Sequence, residues 1–194
     1  MTPVINSLQE AGNLISAVLL DNSLISKVED AIELLTAVFK NNKKIVICGN
    51  GGSACDAMHF AEEFTGRFNK NRRALPVISL TDPGHLTCVS NDFGFKFVFQ
   101  RGVEAYGQKG DLFIGLTTSG NSENIKLALD EAKNKCMNTM VLLGKSGGIL
   151  AGLSDLEIIV PGKTTDRIQE LHMLLLHIII ENVEKCLFPD LYIN

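Results

Sequence analysis

With 194 residues, 45% of them hydrophobic and 21% charged, the chain can bury a full core and is too apolar to remain disordered. A formal net charge of −4 gives no global electrostatic support for nucleic-acid binding, so any anion site must be local. The five cysteines (Cys48, Cys55, Cys88, Cys136 and Cys186) are scattered and form no CxxC pair, which points to free thiols in a reducing compartment.

Residues 4–40 carry Leu, Ile and Val at helical spacing, broken near Asp21-Asn22-Ser23, where a second helix can be capped. Short apolar runs then alternate with helical patterns. Strands are expected at 44–48, 76–80, 111–116, 139–143 and 156–160, and helices at 53–66, 95–107, 122–135 and 165–187. This alternation predicts an α/β fold of the doubly wound class, a parallel sheet covered by helices on both faces. The simplest organisation is a single domain over 1–194, with an N-terminal helical arm at 1–40 and the core at 41–194.

No basic segment followed by an apolar run marks a signal peptide. The longest apolar stretch, Leu171 to Ile180, contains His172 and His177 and falls short of the roughly 20 residues a bilayer requires. A soluble, cytoplasmic protein without membrane or nucleic-acid partners is expected. The last helix is apolar around most of its circumference, which predicts association between subunits; a central helix inside one subunit is the alternative.

Two loops carry the chemistry. Gly49-Asn50-Gly51-Gly52-Ser53 closes the first core strand and opens a helix, an arrangement that presents backbone N–H groups and a helix dipole to an anion. Thr117-Thr118-Ser119-Gly120-Asn121-Ser122 closes the third strand in the same way and offers four hydroxyls among its residues. One hydroxyl suffices to cap a helix, so four suit phosphate oxygens better. Neither loop fits the Walker or dinucleotide fingerprint, and ATP and NAD are not supported.

His59 and Glu63 lie four residues apart on the helix opened by the first loop, so that both can meet one ligand or metal. A surface ion pair is the plain alternative. On the last helix Asp166 and His177 project to nearly the same side, with Gln169 within about 80° of both, whereas His172 falls on another face and reads as structural.

The segments GNGGSACDAMHFAEEFTGR at 49–67, SNDFGF at 90–95, TTSGNS at 117–122 and DRIQELHMLLLH at 166–177 resemble the phosphoheptose isomerases, the sedoheptulose-7-phosphate isomerases of the sugar isomerase (SIS) fold. The resemblance spans essentially the whole chain and implies a five-stranded SIS sheet. The implied activity is an aldose–ketose isomerisation between sedoheptulose 7-phosphate and D-glycero-D-manno-heptose 7-phosphate through an enediol. This is the opening step of ADP-heptose or GDP-heptose precursor synthesis for surface glycans such as lipopolysaccharide.

By that resemblance Glu63 is the base and His177 its acid/base partner. The same resemblance implies that His59, Glu63, Gln169 and His177 hold one zinc ion per subunit. Asn50, Gly51, Gly52, Ser53, Asn91, Asp92, Thr117, Thr118, Ser119, Ser122, Asp166 and Gln169 line the substrate site together with Glu63. A homotetramer with active sites between subunits is also implied. Thr117 stands where serine is frequent in the family and keeps the hydroxyl. The rival readings are a non-catalytic SIS protein that binds the bacterial replication initiator, a sugar-phosphate-sensing regulatory module, and an isomerase of another sugar phosphate. Proteins of the first kind typically lack the counterparts of Glu63 and His177, both present here.

Overall fold

Strand residues that are apolar on both sides organise the chain, because a parallel sheet needs helices over both faces. The computed structural model describes residues 2–193. Five strands, β1 (Ile45–Gly49), β2 (Val77–Ser79), β3 (Leu112–Thr117), β4 (Asn138–Gly144) and β5 (Leu156–Val160), form one sheet in the order β2-β1-β3-β4-β5. Every pairing is parallel; Ile45 sits beside Val77 on one side and Leu112 on the other, and Met140 beside Leu156. The predicted strands are all present, four of them with ends shifted by one residue and β5 with the expected bounds.

Alternation along the strands divides the core in two. Ile45, Ile47, Leu112, Ile114, Leu116, Met140, Leu142, Ile158 and Val160 face the cluster under helices α2 (Asn22–Lys40), α3 (Gly52–Thr65) and α7 (Thr165–Leu187). Val46, Cys48, Phe113, Val141 and Leu143 face the opposite cluster, covered by α4 (Pro83–Asp92), α5 (Val98–Tyr106) and α6 (Glu123–Asn134). All five cysteines are free, and burial pushes the Cys48 thiol up, leaving it protonated inside the core.

The helical arm breaks where the sequence places the break. Helix α1 (Pro3–Leu20) ends at Asp21, whose carboxylate then accepts the Leu24 N–H at 3.0 Å and starts α2. None of the α1 residues is buried, and Val4, Leu8, Leu19 and Leu20 are exposed. Helix α4 is absent from the sequence-based expectations. Its start is chemically clear, with Asp82 accepting the His85 N–H and Pro83 in the first turn, but only Val89 is buried, so no hydrophobic period announces it. The single helix expected at 95–107 is a 3-10 turn at Phe95–Phe97 followed by α5.

Helix α7 accounts for its own apolar circumference. It packs against α2, α3 and the β4–β5 side of the sheet and buries Ile168, Leu171, Leu175, Leu176, Ile179, Ile180 and Val183. The central-helix alternative thus explains most of the pattern, and only Leu174 and Ile178 remain at the surface.

Candidate active site

In the strand order β2-β1-β3-β4-β5 the connections reverse direction between β1 and β3. Ligands of open α/β sheets bind outside the carboxyl ends of the strands at such a switch point. Both glycine- and serine-rich loops emerge there, since Gly49 at the end of β1 pairs with Leu116 near the end of β3. The Asn50 and Asn124 side chains join the loops by two amide hydrogen bonds, each 2.9 Å long.

Both helices that start here lack a side-chain cap. Ser122 occupies the capping position of α6, yet its hydroxyl bonds to Thr117 Oγ1 at 3.0 Å, and Thr117 Oγ1 also lies 3.4 Å from Ser119 Oγ. The hydroxyls therefore hold one another; Ser53 and Ala54 already donate to the Asn50 and Gly51 carbonyls, so the N–H groups left available to an anion are those of Gly52 on α3 and of Glu123 and Asn124 on α6. Gly120, at φ +68°, seats this loop against the next turn, where a Cβ would come within 2.0 Å of the Gly147 carbonyl oxygen. An open cavity of about 390 Å³ adjoins the loops, lined by Asn50, Phe95, Lys96, Ser122, Glu123 and Asn124.

Helices α3 and α7 bring a second group together. One donor atom each from His59, Glu63 and His177 lie within 4.8 Å of one another. His59 Nε2 is 2.9 Å from His177 Nε2 and 3.5 Å from Glu63 Oε1. His59 Nδ1 faces Glu62 Oε1 at 3.1 Å, which favours the proton on Nδ1 and turns the Nε2 lone pair toward Glu63 and His177. Phe68 stacks on the His177 ring. Two imidazole nitrogens and a carboxylate oxygen suit zinc, so the residues present fit the metal that the resemblance implies.

Gln169 is adjacent to this group but engaged elsewhere, its Nε2 donating to Asp56 Oδ1 at 3.1 Å. Its amide packs so closely on Gly52 that a Cβ there would meet Gln169 Oε1 at 2.5 Å. Asp56 is buried, and its Oδ2 has no hydrogen-bond partner among the described residues. Burial pushes the Asp56 carboxyl above its ordinary value, against lowering by the Gln169 hydrogen bond and by His59.

The remaining expected residues lie outside both clusters within the single chain. Asn91 and Asp92 are exposed at the end of α4, where Asn91 donates to Asp92 at 2.7 Å. Asp166 is exposed in the first turn of α7; the Thr164 hydroxyl and the Arg167 N–H hold its carboxyl below the ordinary value. His172 is fully buried, with its Nε2 3.0 Å from the Leu143 carbonyl oxygen, and burial lowers its pKa to about 4. It is a neutral core residue, in keeping with the structural role read for it.

Sequence reasoning passed over Asp56, Glu62, Lys96 and Asn124. Asp56 and Glu62 were within reach, since each is three residues from His59 on the same helix. Lys96 and Asn124 become neighbours of Asn50 only when the sheet assembles.

The SIS-domain family profile matches residues 8–144. A phosphoheptose isomerase of Fusobacterium nucleatum is 58% identical over 168 residues, 87% of each chain. Among solved structures, the phosphoheptose isomerase of Neisseria gonorrhoeae superposes with a TM-score of 0.88 at 36% identity, covering 94% of this chain and 97% of that one. That of Francisella tularensis superposes with a TM-score of 0.90 at 33% identity, covering 95% and 100%. With this likeness over nearly its whole length, and with two uncapped helix starts beside a His-Glu-His group, the chain belongs to the phosphoheptose isomerase family of SIS-domain proteins.

Proposed function

We propose that the protein interconverts sedoheptulose 7-phosphate and D-glycero-D-manno-heptose 7-phosphate, an aldose–ketose isomerisation. The observation that carries this reading is the convergence of His59, Glu63 and His177 beside a loop pair built for phosphate. In this reading the phosphate rests on the hydroxyls of Ser53, Thr117, Thr118, Ser119 and Ser122 and on the N–H groups of Gly52, Glu123 and Asn124. Asn50, Gly51 and Gly52 form the near wall, and Asn91, Asp92, Asp166 and Gln169 meet the sugar hydroxyls.

Anchoring the phosphate fixes the distance to the reacting carbons, and Glu63 removes the proton from one and returns it to its neighbour. His177 supplies and withdraws the proton at the sugar oxygens as the enediol forms and collapses. His59, Glu63 and His177 would hold a zinc ion, with Gln169 as a fourth donor by family resemblance; when bound, it supplies polarisation of the oxygens at the reacting carbons. The Glu62 contact keeps His59 in one tautomer throughout.

A homotetramer accords with the apolar residues that α1 leaves uncovered, and a neighbouring copy that closes the site would bring further groups to the exposed Asn91, Asp92 and Asp166. No helix among the described residues is long and apolar enough to cross a membrane. A cytoplasmic place at the start of heptose precursor synthesis, for lipopolysaccharide or a related surface glycan, follows from the proposed reaction. The test is incubation of the purified protein with sedoheptulose 7-phosphate, with product followed by NMR. Formation of the aldoheptose phosphate is expected. Absence of turnover together with tight binding to a replication initiator would replace this reading by the non-catalytic one.

A further inference from the structure

The donors of the site sit on two helices, so their geometry depends on how α3 lies along α7. Two polar contacts bracket the site. On one side Gln169 of α7 donates to Asp56 of α3. On the other stands Arg72, in the segment after α3, its side chain fully buried against the equally buried Glu184.

Arg72 binds in two directions at once. Its Nη2 donates to the carbonyl of Glu63 at 2.7 Å, and its Nη1 to the carbonyls of Phe64 at 2.7 Å and Gly66 at 3.2 Å. These oxygens belong to the end of α3, where the helix supplies no further N–H groups. In the other direction Arg72 Nε donates to Glu184 Oε2 at 3.0 Å. Glu184 lies seven residues beyond His177, two turns along α7 and on the same face. A single planar guanidinium thus connects the backbone of Glu63 to the helix that carries His177.

The Glu184 carboxylate is fully engaged as well. Its Oε1 accepts the Lys70 N–H at 3.0 Å and the Tyr192 hydroxyl at 2.5 Å. A buried ion pair of this kind is a poor means of stabilisation, since apolar side chains of equal volume often serve as well. Apolar contacts between helices also tolerate sliding, whereas a rigid fork of donors accepts one register. A displacement of about 1 Å at a reacting group can cost on the order of 100-fold in rate.

We infer that Arg72 and Glu184 are positioning residues for the site: their buried pair fixes the register of α3 on α7 and so holds His59, Glu63 and His177 in their convergent arrangement. The rate consequence rests on the isomerase reading; the geometric one does not.

The test compares Arg72→Lys and Glu184→Gln with Val103→Ala, a cavity variant in the core on the opposite face of the sheet. Thermal melts choose a temperature at which all are folded. Two readouts follow: kcat and KM for sedoheptulose 7-phosphate, and the ring ¹⁵N resonances of the four histidines in metal-free protein, with His85 as the internal reference. The expected result is a kcat lowered at least about 10-fold with KM within about 2-fold, as for misplaced reacting groups. The His59 and His177 resonances shift in both pair variants and stay in place in Val103→Ala. Glu184→Gln preserves shape and covers the case in which Arg72→Lys does not fold. Pair variants that melt lower yet keep kcat and both resonances would overturn the inference, as would failure of both to fold, which would make the pair a requirement for folding alone. A wild-type protein without isomerase activity would refute the proposed function and leave the resonance comparison to decide this one.

Discussion

His59 Nε2 and His177 Nε2 lie 2.9 Å apart although α3 and α7 are separated by most of the chain. Two ring nitrogens at this distance can share a proton in one hydrogen bond, and a cation held by the pair would take both lone pairs. The pair is therefore a proton site or a metal site, and Glu63 is within reach of either.

Replacing His177 by Asn removes the acid/base group and one metal donor together. Turnover of sedoheptulose 7-phosphate is expected to fall by about 100-fold or more, as for loss of a positioned acid/base group. Binding of inorganic phosphate, followed by calorimetry, is expected to be unchanged, because the hydroxyls of the serine loop are held by one another and not by His177. Equal loss of phosphate binding would place His177 in the wrong part of the site.

Ser122 separates capping from phosphate binding. Its hydroxyl makes no capping bond, so Ser122→Ala should lower the melting temperature only by the loss of the Thr117 hydrogen bond. It removes a hydrogen bond to a charged group, worth about 1.5–3 kcal/mol, or about 10- to 100-fold in kcat/KM. Steady-state kinetics check this; unchanged kcat/KM would remove Ser122 from the phosphate site.

Gly52→Ala tests the seat of Gln169. The added Cβ would lie 2.5 Å from Gln169 Oε1, at the far end of a flexible side chain that can move aside. The fold should persist while Gln169 shifts, with kcat reduced between about 10- and 100-fold. Wild-type kinetics would show that the placement of Gln169 is irrelevant.

His172 gives stability a pH dependence. Its pKa falls from 6.5 to about 4 on burial, so between these values the unfolded chain binds a proton that the folded chain refuses. Stability from this group is unaffected above pH 7 and declines as pH falls through 6.5 toward 4. Between pH 7 and pH 5 the contribution is about 2 kcal/mol, at roughly 1.4 kcal/mol per pH unit. Urea unfolding at the two pH values should show this decline in the wild type, and a smaller one in His172→Asn. Parallel pH profiles would contradict a neutral buried His172.

Much of the fold is legible in the sequence because the central strands β1, β3 and β4 are buried on both faces and read as continuous apolar runs. Helix α4 is not, since its single buried residue, Val89, leaves no period to detect. The apolar surround of α7 suggests a subunit contact, but a helix lying between α2, α3 and the sheet has the same pattern. At the site, His59 with Glu63 and the hydroxyls of the second loop are visible as local spacings. The Asn50–Asn124, Asp56–Gln169 and Arg72–Glu184 contacts are not, because each joins residues that only tertiary packing makes neighbours.

In the proposed reaction Glu63 moves the proton. Glu63→Gln keeps the shape of the side chain and removes its basicity, so the direct measurement is its turnover of sedoheptulose 7-phosphate beside its affinity for the same compound. Turnover lower by about 100- to 10,000-fold is expected, with affinity nearly unchanged. Turnover close to that of the wild type would contradict it.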